Sequence, residues 1–73
     1  MKEIDSRAVA FRQMAEVFLQ SEPERLEVFC LNWNKQEFRA AYLIWNEFTR
    51  EHTTTLSSEQ VKVDEDFYWL YIA

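Results

Sequence analysis

Not one glycine occurs in the 73 residues, and Pro23 is the sole proline. Two-residue hairpin turns need the positive φ angles that glycine or asparagine supplies. A chain without glycine is therefore steered away from tight-turned sheets and toward helices joined by short polar links. Its length allows one domain, residues 1–73, since a domain usually takes about 100–200 residues. A domain this small buries only a little over ~60% of the surface of its unfolded chain, against an ordering cost of ~1.5 kcal/mol per residue. The core must be rich to compensate. Composition provides this, with 48% hydrophobic residues, 16% aromatic residues, three Trp, three Tyr and six Phe. Such content excludes a disordered chain, and the lone Cys30 excludes a disulfide scaffold.

Apolar periodicity places three helices. The first is expected from about Ser6 to Gln20, capped by Asp5 or Ser6, with Ala10, Phe11, Met14, Val17 and Phe18 as its apolar stripe. The second opens at Ser21-Glu22-Pro23-Glu24, where the spacing predicts a capping box between Ser21 and Glu24. Pro23 suits a first turn because its missing N–H has no partner there. Leu26, Phe29, Cys30 and Trp33 follow at helical spacing, and Val28 and Leu31 widen the stripe to more than one side. Asn34-Lys35-Gln36-Glu37 repeats the capping pattern before a third helix that runs to about Arg50 or His52. Phe38, Tyr42, Trp45 and Phe48 form its stripe, extended by Ala41 and Ile44. Thr53-Thr54-Thr55, stiff at χ1, ends it.

The C-terminal segment supports two readings. Ser57 or Ser58 with Glu59 and Gln60 looks like another helix cap. Val61, Val63 and Phe67 to Ile72 have the composition of strands, which tips the balance to a short extended or hairpin arm. In that case Asp64, Glu65 and Asp66 form the turn; in a terminal helix they are its acidic first turn. The expected fold is mainly α, a compact three-helix domain with a short C-terminal extended, hairpin or fourth-helix segment.

Thirteen acidic residues against eight basic ones give a net charge of −5 and a pI near 4.7. The cations are scattered from Lys2 to Lys62, each near a carboxylate. Nucleic-acid binding by counterion release needs them gathered on one surface, and anionic lipid is disfavoured for the same reason. No direct nucleic-acid contact and no membrane contact are expected. Met1-Lys2-Glu3-Ile4 carries no basic-then-apolar signal run. The longest apolar stretch, Phe67 to Ala73, is far short of a bilayer span. A reducing cytoplasm is the expected compartment.

Catalytic chemistry finds little purchase. Cys30, between Phe29 and Leu31, reads as a buried inert thiol. His52, the single histidine, reads as an exposed residue at a helix C-terminus. One Cys and one His cannot complete a zinc site, and the acidic triplet lacks the spacing and glycine of a calcium loop. No cofactor, metal or catalytic residue is assigned. Twelve aromatics exceed what so small a core should enclose, because each buries about 150–250 Å². Exposed Trp and Tyr make binding hot spots. The outer side of Trp45 and Tyr68, Trp69 and Tyr71 are therefore the expected contact residues, with Asp64, Glu65 and Asp66 as a charged rim and Phe67 and Leu70 as core.

The function expected is a non-enzymatic protein–protein interaction module, a homodimer or an accessory or inhibitory protein. Its size and charge are like those of many phage- or plasmid-borne inhibitors. The alternative is a nucleic-acid mimic whose carboxylates at Glu22, Glu24, Glu27 and Asp64 to Asp66 stand where phosphates would.

Overall fold

The computed structural model describes residues 5–73. The signal-peptide reading falls on residues 1–4, which lie outside the described residues. Four α-helices and no strand occur among those described: α1 (Ser6–Leu19), α2 (Pro23–Asn34), α3 (Phe38–Glu51) and α4 (Ser58–Phe67). A π-helical turn, Tyr68–Ile72, continues α4 to the C-terminus. The mainly α fold agrees with expectation, but the extended or hairpin arm does not form.

Helix ends explain much of this. Ser57 accepts the Gln60 N–H at 3.2 Å, while Gln60 Oε1 accepts the Ser57 N–H at 2.9 Å, a complete capping box. That local signal overrides the strand composition downstream, and the acidic triplet falls in the last two turns of α4 rather than at its start. Asp5 caps α1 by accepting the Arg7 N–H at 2.8 Å.

The other two predicted boxes are absent. Pro23 occupies the first helical position, so the residue before it, Glu22, becomes the N-cap. A residue preceding proline is held out of the α region, which suits Glu22 for that place. Ser21 is left one position too early, and its hydroxyl donates to the Phe18 carbonyl. Asn34 and Gln36 serve the end of α2 instead of the start of α3, whose N-cap, Glu37, makes no side-chain bond.

Without glycine, α2 and α3 still end in the left-handed turn that glycine usually occupies. Gln36 takes φ 62° and Thr53 φ 48°. In α2 the Gln36 N–H reaches the Trp33 carbonyl and the Glu37 N–H reaches that of Asn32, both at 2.9 Å. In α3 Thr53 and Thr54 bond to Arg50 and Thr49 at 3.4 and 3.0 Å in the same pattern. These are paired Schellman closures, with a β-branched side chain at the worst position for one. The third helix does stop at the threonines. The cause is this hydrogen-bonded reversal as well as their stiffness.

α2 packs along α3, α1 packs along α4, and the π turn returns onto α3. Phe11 lies where the two pairs meet, with rings of Phe29, Trp33, Tyr42, Trp45 and Phe67 all within 6.3 Å. Its ring stacks on Phe67 at 4.1 Å between centroids and 4° between planes. Ala8, Ala15 and Ala41 are buried beside this cluster and let the backbones approach. The α3 stripe is as predicted: Ala41, Trp45 and Phe48 are buried, and Phe38, Tyr42 and Ile44 pack against them. The α1 stripe is rotated to Ala8, Phe11, Ala15 and Leu19, leaving Val17 65% exposed. On α2 only Phe29 is fully buried; Val28 and Leu31 face solvent, so the helix is covered on one side only.

Candidate interaction surface

The C-terminal run is sorted by its turn geometry. In an α-helix five residues rotate by about 500°, which would leave Ile72 roughly 140° away from Phe67. The π turn winds more slowly, and the Ala73 N–H closes it on the Tyr68 carbonyl at 2.9 Å. Phe67, Tyr71 and Ile72 can then all face the core: Phe67 is fully enclosed, Ile72 is buried, and Tyr71 lies 4.9 Å from the Phe67 ring and 5.2 Å from Phe38. Arg39 anchors the end by donating to the Ile72 carbonyl at 3.0 Å. The three residues between are turned outward, with Tyr68 37%, Trp69 72% and Leu70 45% exposed. The Tyr68 and Trp69 rings meet edge to face at 5.4 Å.

The predicted contact residues are thus split. Tyr68 and Trp69 lie on one exposed turn. Tyr71 belongs to the core edge, and burial followed by the Asp5 carboxylate pushes its hydroxyl pKa up. Trp45 is fully buried, so the outer side assigned to it does not exist. Phe11 and Phe18 cover its ring, and its indole Nε1 donates to Asp64 at 3.3 Å. Asp64 also accepts from the Tyr42 hydroxyl at 2.9 Å. It is an internal acceptor tying α4 to α3, not part of a charged rim. Glu65 is exposed and Asp66 half-buried. Leu70, expected in the core, is exposed, and Ile72 takes its place. Sequence reasoning missed Leu70 because its surroundings depend on a widened turn that no composition signals.

The surplus of aromatics is also smaller than expected. Ten of the twelve are buried or half-buried, and only Tyr68 and Trp69 are exposed. The interior succeeds by stacking rings at close spacing around Phe11.

Other candidate groups occupy quiet surroundings. Burial pushes the Cys30 thiol pKa up, and Glu16, which accepts from Sγ at 3.7 Å, raises it further. A thiol so placed is a poor nucleophile. His52 is exposed at the C-cap of α3 and its Nε2 donates to Glu22. Among the described residues no three His, Cys, Asp or Glu side chains are gathered as metal ligands. No helix there is long and apolar enough to cross a membrane. No family model, curated protein or solved structure matches this chain.

Proposed function

We propose that this protein is a non-enzymatic interaction module of the cytoplasm that binds a larger protein by inserting Trp69 into an apolar pocket, as an accessory or inhibitor. The carrying observation is the outward turn of Tyr68, Trp69 and Leu70 on a segment held from behind by Phe67, Tyr71, Ile72 and Arg39. A large aromatic that is exposed yet pre-positioned loses little freedom on binding, which is what a hot spot requires. Single-turn π segments within helices also recur at functional sites.

A second copy fits this turn less well. At about 150–250 Å² per aromatic side chain, the exposed 37% of Tyr68 and 72% of Trp69 offer together roughly 160–270 Å². A stable interface takes about 800 Å² per partner. A homodimer would have to recruit surface beyond these residues. The mimic reading draws little support, because Asp64 is engaged with Tyr42 and Trp45, and Glu22 with Arg25 and His52.

Affinity capture from the source cell with the wild type and with Trp69→Ala tests the proposal. The variant should keep its helical circular dichroism and lose the partner that the wild type retains. Capture of the same partner by both proteins would refute it. Sedimentation of the wild type should show a monomer at micromolar concentration.

A further inference from the structure

We propose that the open groove between α2 and α3 binds a basic amphipathic helix of a partner protein, one aliphatic side chain resting on Val28 and Ile44 and its cations meeting Glu24 and Glu47. This surface is separate from the Trp69 turn and does not depend on it.

Pro23, Val28 and Ile44 form the apolar part of the groove, and Glu22, Glu24, Arg25 and Glu47 line it beside them. Val28 is 47% exposed. Arg25, the groove's one cation, is already occupied. Its guanidinium lies 3.3 Å from Glu22 and 2.9 Å from Glu51, and Glu47 adds to the field on it. Glu24 and Glu47 have no cation within 4.0 Å among the described residues. Glu24 serves the N-terminal dipole of α2. Glu47, in the interior of α3, has no such role. The result is an apolar strip bordered by carboxylates without an ion-pair partner, complementary to a helix with an aliphatic ridge flanked by lysine or arginine. The sequence hides this site because Val28 reads as core and Glu47 as ordinary solvent face.

Fluorescence polarisation with two labelled peptides tests the inference. One is an amphipathic lysine–leucine helix of about fourteen residues, and the other is oligolysine of equal charge. The amphipathic peptide should bind the wild type more tightly than oligolysine does. Reversing Glu24→Lys together with Glu47→Lys should weaken it about tenfold or more, whereas Glu59→Lys with Glu65→Lys, an equal charge change on α4, should alter it less than about threefold. Trp69→Ala should leave it unchanged, which separates this site from the C-terminal turn. If the first double reversal loses its helical spectrum, Glu24→Gln with Glu47→Gln takes its place, with a several-fold loss expected. Absent binding, equal binding of oligolysine, or equal weakening by both charge reversals overturns the proposal.

Discussion

α3 and the C-terminal run from Phe67 to Ile72 are both rich in aromatic residues, yet they place them in opposite ways. In α3, Phe38, Tyr42, Trp45 and Phe48 recur every three or four residues, and all lie in or against the core. Arg39, Leu43, Glu47 and Arg50 fall between them and face solvent. In the C-terminal run six apolar residues are consecutive, so no helix can hide them all. Even a widened turn gathers only Phe67, Tyr71 and Ile72 inward. Spacing, not apolarity, decides which side is covered. A run that looks more hydrophobic than a stripe is thereby the one that leaves an indole in water.

Tryptophan truncation should separate the two regions most sharply. Trp45→Ala removes the largest fully buried side chain and one of the two donors to Asp64. The loss should be about 3–5 kcal/mol, comparable with the whole stability of a domain this size, roughly 4–11 kcal/mol at the usual per-residue value. Urea unfolding followed by circular dichroism should show a shallow or missing transition.

Alkaline titration comes next. Burial and then the bond to Asp64 push the Tyr42 pKa up from the ordinary 10.0. Below that value both states keep the proton and stability is unaffected. Above it the unfolded chain releases a proton that the native state retains, so stability falls as pH rises until the native hydroxyl also ionises. Tyr71 moves in the same direction under burial and Asp5. Tyr42→Phe should flatten the decline in urea midpoint above about pH 10 more than Tyr71→Phe does. Equal flattening would show the C-terminal ring to be as well enclosed as the α3 ring.

Helix ends extend the comparison. Ser57→Ala, at the start of the C-terminal segment, should cost about 1 kcal/mol, while Ser21→Ala should cost less, because that hydroxyl caps no helix N-terminus and makes only an exposed bond to the Phe18 carbonyl. At the end of α3, Thr53→Gly should stabilise by about 1 kcal/mol, since a left-handed non-glycine residue carries roughly 1–2 kcal/mol of strain. Thermal melts of the three variants give the ranking, and a destabilised Thr53→Gly would contradict the strain. Smallest of all, Trp69→Ala should stay within about 0.5 kcal/mol of wild type. A larger loss would mean that the exposed ring is part of the fold.

The legible parts of the chain were those with local causes. The α3 stripe followed from its period, the caps of α1 and α4 from residue type to within one position, and the stop near Thr53 from its neighbours. Capping boxes do not form at Ser21 and Asn34: residue spacing alone does not say which position is the cap. Pro23 moved one start by a residue, and the closure of α2 consumed the other. The candidate surface was half legible. Trp69 and Tyr68 stood out by type, whereas Trp45 and Asp64 looked available until each was found bonded to the other.

By itself the sequence determined a helical chain with a deep aromatic stripe, because helical period, capping and the lack of glycine act over a few residues. Only the tertiary structure decided which faces of α1 and α2 are covered, which rings of the C-terminal run point outward, and that Val28 and Ile44 line one groove. Those outcomes depend on which neighbour arrives. Phe11 meets Phe67, and Asp64 meets Tyr42 and Trp45, only after the chain has folded back across long sequence separations, and no local pattern encodes where such partners will stand.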